Sequence, residues 1–134
     1  MGLIPGGNAH MNQPMPKILL AEDDGDMRRF LVKALQNAGF KVIDYDNGLS
    51  AYRRLREEPF ELLLTDIVMP EMDGIELARR AAELDPDIKI MFITGFAAVA
   101  LNADSKAPKD AKVLSKPFHL RDLVNEVQKM LTAA

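Results

Sequence analysis

The sequence predicts a doubly wound α/β domain built on one parallel sheet. Three observations point there. Short continuous apolar runs alternate with stretches of helical periodicity, five times over, from Lys17 onward. Such alternation gives parallel strands joined by right-handed crossovers, with helices on both faces. The apolar runs end in charged or hydroxyl residues, at the edge where an open parallel sheet binds its ligands. No internal repeat or linker interrupts the pattern, so one domain accounts for it.

The elements follow in order. "KILLA" (17–21) is a continuous apolar run, as expected for a strand covered on both faces. Met27, Phe30, Leu31, Ala34, Leu35 and Ala38 then recur with the spacing of one helical stripe. Asp24 or Asp26 caps or leads this helix, and Gly39 closes it. "KVIDY" is the second strand, and "GLSAYRRLREE" a basic-faced helix ended by Pro59. "ELLLTD" is the third strand, after which Asp73 or Gly74 opens a helix through Ile75, Ala78 and Ala81 that stops before Pro86. "IKIMFITG" and "KVLS" are the fourth and fifth strands. The last helix is expected to bury Leu120, Leu123, Val124, Val127, Met130 and Leu131. Between those two strands "AAVALNADSKAPKDA" (97–111) is poorly periodic and contains Pro108, so a helix there is expected to be short or irregular. Five strands with these connections fit the flavodoxin-like order 2-1-3-4-5.

Composition narrows the class of protein. With 134 residues, 48% hydrophobic and 28% charged, the chain suits a single globular domain. It contains no cysteine, which removes disulfides and thiol chemistry. Its net charge of −3 argues against a nucleic-acid surface, and no apolar run nears the length of a membrane helix. A cytoplasmic protein is expected. Residues 1–16, "MGLIPGGNAHMNQPMP", lack periodicity and read as a vector remnant or disordered leader, with a native start at Met11 or Met15. The domain proper is then 17–134.

The strand ends carry the chemistry. The first strand ends in Glu22, Asp23 and Asp24, the third in Asp66, the fourth in Thr94 and the fifth in Lys116. Strands one and three are neighbours in the expected order, so Glu22, Asp23 and Asp66 converge. Like charges this close require a proton or a cation between them. Oxygen donors with room for water suit Mg²⁺. A carboxylate beside Mg²⁺, an ammonium and a hydroxyl is a phosphoryl acceptor: Asp66 attacks, Mg²⁺ and Lys116 neutralise the oxygens, and Thr94 donates to the product. Each residue by itself reads as a cap, a turn or a solvated lysine. Only their conjunction, in order, outweighs that reading.

The motifs "LLAEDDGDMRR", "LLLTDIVMPEMDG", "FITG" and "LSKPF" resemble the CheY-like receiver domain of two-component response regulators, over Lys17 to Leu131. The resemblance implies that Asp66 is the phosphorylated aspartate. It implies that Asp23 is a direct Mg²⁺ ligand, that Glu22 acts through a bound water, and that Val68 contributes its backbone carbonyl. Thr94 becomes the switch hydroxyl, Lys116 the lysine of the site, and the Lys116–Pro117 bond cis. The donor would be a histidine kinase or a histidine phosphotransfer protein. One departure concerns the switch: three residues before the lysine, where many receivers carry Tyr or Phe, stands Val113. Either Phe96 is expected to take over the role or the switch acts through the irregular fourth helix.

No DNA-binding or catalytic module follows these motifs, so the expected output is protein contact. "DIVMPEMDGIELARRAAE", "FITGFAAVAL" and "KVLSKPFHLRDLVNEV" resemble, more narrowly, stand-alone receivers of alphaproteobacteria. That resemblance implies an adapter for the AAA+ protease ClpXP, active when unphosphorylated, with Ala133 and Ala134 similar to a degradation tag. Docking to a motor, a kinase or a phosphorelay component is the alternative. A turnover enzyme is not expected. A haloacid dehalogenase-like phosphohydrolase needs an acid two residues after its nucleophile, where Val68 stands, and no P-loop motif occurs.

Overall fold

A computed structural model describes residues 15–95 and 106–132. The expectations for Phe96, Ala133, Ala134 and most of the 97–111 segment lie outside the described residues. The chain runs β1 (Lys17–Ala21), α1 (Gly25–Asn37), β2 (Lys41–Tyr45), α2 (Gly48–Glu57), β3 (Leu62–Thr65), α3 (Gly74–Leu84), β4 (Lys89–Thr94), β5 (Lys112–Ser115) and α4 (Leu120–Thr132). The five strands form one parallel sheet in the order β2-β1-β3-β4-β5, as the sequence predicts.

The continuous apolar runs follow from coverage of both faces, because alternate residues of a strand point to opposite sides. On one side Leu19, Ala21, Leu63, Ile90 and Phe92 pack with Ala51 of α2 and Leu77, Ala78 and Ala81 of α3. On the other, Ile18, Leu20, Leu62, Leu64, Met91 and Ile93 pack with Leu31 and Leu35 of α1 and Leu123 and Val127 of α4. Burying each large side chain contributes roughly 1.5–3 kcal/mol. Three helices open on side-chain caps: Asp24 accepts from the Met27 amide at 3.1 Å, Asn47 from Ser50 at 2.8 Å and Asp73 from Glu76 at 2.8 Å. Each cap stabilises by about 1 kcal/mol. Gly39 ends α1 with φ of 99°, a conformation costly for any residue with a Cβ.

Two residues expected in the core are at the surface. Phe30 is 60% exposed, because α1 meets the sheet along Leu31 and Leu35, and its neighbour Phe30 lies about 100° around the helix. Leu120 is 38% exposed, since it opens α4 one turn before Leu123, the first residue of that helix to reach the sheet.

Candidate functional site

Strand register assembles the site. Ala21 of β1 pairs with Thr65 of β3, so the residues that follow, Glu22 and Asp66, emerge side by side at the C-terminal edge of the sheet. Phe92 pairs with Thr65, which carries β4 two residues further, to Thr94. Thr94 pairs with Ser115, and the Lys116 amide donates to the Thr94 carbonyl at 2.9 Å, turning the lysine back over the edge. The Lys116–Pro117 bond is cis.

The side chains then meet. The Lys116 ammonium donates to Asp66 Oδ2 at 2.7 Å and to Glu22 Oε1 at 3.1 Å. The other Glu22 oxygen, Oε2, accepts from the Asp24 amide at 3.1 Å, and Asp66 Oδ1 accepts from the Ile67 amide at 2.6 Å. Glu22, Asp66 and Thr94 are buried, whereas Asp23 is exposed. Burial pushes the Glu22 carboxyl up, reinforced by the nearby Asp66 charge and opposed by the Asp24 amide and by Lys116. Burial also pulls the Lys116 ammonium down, but its hydrogen bonds to Asp66 and Glu22 outweigh this and leave it raised. The Lys116 shift reflects its acidic surroundings, while the Glu22 shift is first an effect of burial.

Carboxylate oxygens of Glu22, Asp23 and Asp66 lie within 4.8 Å of one another. Three carboxylates against one ammonium leave a formal charge of −3 + 1 = −2, which a divalent cation would cancel. Hard oxygen donors with one exposed member fit Mg²⁺, which keeps part of its water shell. The Val68 side chain is 59% exposed.

The loop that carries Asp66 is held by close backbone contact. A Cβ on Gly74 would lie 1.8 Å from the Asp66 carbonyl oxygen, and one on Gly48 would lie 2.0 Å from that of Met72. The Gly74 amide donates to the Ile67 carbonyl at 2.7 Å. Sequence reading brought together the residues that the structure places here, Glu22, Asp23, Asp66, Thr94 and Lys116. It missed Arg28 of α1, which donates to the Glu22 backbone carbonyl at 2.8 Å and to Asp44 Oδ2 of β2 at 3.1 Å. The doubled arginine in "DMRR" was the available signal, but nothing local separates Arg28 from Arg29.

This constellation on a 2-1-3-4-5 sheet is matched by a known family. The response regulator receiver domain model matches residues 18–128, and the chain belongs to that family. Among curated relatives, it is 81% identical to the response regulator receiver protein CpdR of Brucella abortus (strain 2308), over 90% of this chain and 100% of that protein. Solved structures agree. A response regulator receiver protein from Sinorhizobium medicae WSM419 superposes with a TM-score of 0.79 at 30% identity, covering 89% of this chain and 96% of that one. The response regulator TrrA from Thermotoga maritima, solved in complex with Mg²⁺ and beryllofluoride, superposes with a TM-score of 0.78 at 28% identity, covering 87% of this chain and 100% of that one.

Proposed function

We propose that this receiver takes a phosphoryl group on Asp66 from a histidine kinase or histidine phosphotransfer protein, and that the transfer switches off an adapter for the ClpXP protease. The observation that carries the first half is the Lys116 ammonium shared between buried Asp66 and Glu22, with Asp23 alongside. Asp66 attacks the phosphorus of a phosphohistidine. The P–N bond breaks with its electron pair passing to the imidazole, and an aspartyl phosphate remains. The Ile67 amide orients the carboxylate, and Lys116 is placed to move from Asp66 to the incoming phosphoryl oxygens. Thr94, buried at the neighbouring strand end, donates to the product.

Glu22 through a water, Asp23, Asp66 and the Val68 carbonyl would hold Mg²⁺, which when bound supplies positive charge to the phosphoryl oxygens. That the similar TrrA structure was solved with Mg²⁺ and beryllofluoride supports Mg²⁺ as the cation of this receiver. The protein acts as a phosphoryl acceptor with slow self-dephosphorylation, in the cytoplasm, and not as a turnover enzyme.

Identity of 81% to CpdR over its full length, together with the resemblance to stand-alone alphaproteobacterial receivers, supports the adapter role. In that role the unphosphorylated form binds the unfoldase ClpX, with Phe96 in the switch and Ala133 and Ala134 as its tag. The test is binding to purified ClpX in Mg²⁺, with and without beryllofluoride, which on Asp66 stands in for the phosphoryl group. Binding lost on adding beryllofluoride is expected. No binding in either state would remove the protease and leave a receiver that docks on another signalling protein.

A further inference from the structure

We infer that Arg28 is a positioning residue for the acidic pair: its guanidinium clamps the β1–α1 turn to β2 and so fixes Glu22 and Asp23 for a divalent cation. The inference rests on the metal site proposed above. It concerns a residue that touches neither the cation nor the phosphoryl group.

Glu22 is held at every polar atom. Its amide donates to the Tyr45 carbonyl at 3.1 Å, its Oε2 accepts from the Asp24 amide and its Oε1 from Lys116. The Glu22 carbonyl, at the point where the chain leaves the sheet, accepts from Arg28 at 2.8 Å. The same guanidinium donates through Nε to Asp44, which lies on β2 beside Tyr45. One rigid fork thus ties the turn to the neighbouring strand, a geometry that a lysine ammonium cannot reproduce at both acceptors. Asp23 is exposed, and its place is set by Glu22 and Asp24 on either side. The Arg28 amide donates to the Asp24 carbonyl at 2.8 Å as the first backbone bond of α1, which any residue but proline makes at this position. The attachment specific to arginine is the guanidinium on the Glu22 carbonyl and Asp44. Among the described residues Arg29, the next residue, makes only a local pair with Asp26, on a side chain 70% exposed.

Electrostatics makes the sign of the test informative. As a bare cation near the site, Arg28 would repel Mg²⁺, and its removal would tighten binding. As a positioning residue it acts the other way, because outer partners of metal ligands commonly change affinity by 10–100-fold. The experiment is calorimetric titration with Mg²⁺ alone, at low salt, on wild type, Arg28→Ala, Arg28→Lys and Arg29→Ala, each checked in EDTA by thermal unfolding. We expect Arg28→Ala to weaken Mg²⁺ binding about tenfold, Arg28→Lys to fall between it and wild type, and Arg29→Ala to leave binding unchanged or slightly tighter. Asp44→Ala should weaken binding less than Arg28→Ala and add little in the double variant, since both break the same clamp.

Tighter or unchanged binding in Arg28→Ala would overturn the inference, as would full wild-type affinity in Arg28→Lys. If Arg28→Ala does not fold, the lysine variant decides by the same criterion. Wild-type protein that binds no Mg²⁺ would overturn the metal site itself, and this inference with it.

Discussion

The two ends of the sheet use the same residue types to opposite effect. At the N-terminal edge, Lys17 and Arg54 flank Glu58 at 2.5 Å and 3.5 Å, and the Lys17 ammonium also lies 4.8 Å from the centre of the Phe60 ring. Two cations surround one carboxylate, in partial contact with water. The hydrogen bond from Lys17 dominates; burial opposes it, the charges of Arg54 and Lys17 add to it, and the Glu58 carboxyl is held below its usual range. At the C-terminal edge, three carboxylates surround one lysine, with Glu22 fully buried. There burial dominates and pushes Glu22 up. Charge balance and burial, not residue type, separate an edge whose carboxylate is outnumbered by cations from one whose carboxylates outnumber the cation they face.

The sharpest way to break this contrast is at Asp66. Asp66→Asn is expected to take up no phosphate from acetyl phosphate while keeping its circular dichroism spectrum. Uptake at a comparable rate would place the acceptor elsewhere. Lys116→Met comes next, since it removes the one ammonium that, among the described residues, pairs with the two buried acids. Phosphorylation of Asp66 should slow by about 100-fold, as for loss of one charge-stabilising donor. Mg²⁺ binding should be no weaker, because a competing cation has gone. A parallel loss of both would mean that Lys116 builds the metal site as a whole.

Gly74→Ala probes how the acidic edge is held in place. Its Cβ would collide with the Asp66 backbone, so unfolding in urea should show a loss of about 1–3 kcal/mol or more. Gly25→Ala, whose Cβ would meet among the described residues only the flexible end of Arg29 at 3.5 Å, is the control and should cost far less. Equal losses would mean that the loop relaxes freely around Asp66.

The smallest effect belongs to the N-terminal edge. Glu58 is depressed in the folded protein, so its stabilisation is present above the unfolded carboxylate pKa and lost as pH falls through the folded value. Glu58→Gln should lower the melting temperature slightly at neutral pH, and the difference from wild type should close in acid. A difference independent of pH would assign the loss to packing against Lys17 and Arg54 instead of charge.

Much of the architecture is legible in local sequence. "KILLA", "KVIDY" and "KVLS" match β1, β2 and β5 residue for residue. The interior strand β1 is apolar from Ile18 to Ala21 because helices cover both of its faces. The edge strands β2 and β5 keep an apolar centre between exposed Lys41 and Asp44 and between exposed Lys112 and Ser115. Helix stripes were less reliable at their margins. Phe30 and Leu120 fit the periodicity, but their exposure depends on how far around and along each helix the sheet reaches. Asp24 and Asp26 were equivalent as caps until backbone geometry gave the role to Asp24 and left Asp26 to pair with Arg29.

The sequence by itself determined the class of fold and which polar residues end the strands, because both are written in the identity and period of neighbouring residues. Tertiary structure decided the rest. Lys116 reaches Glu22 across 94 positions and Asp66 across 50, and Arg28 reaches Asp44 across 16. The burial of Glu22, the exposure of Asp23 and the clamp on their turn arise when separate strands come into register. No local pattern encodes them, since each depends on a partner that only the folded sheet brings near.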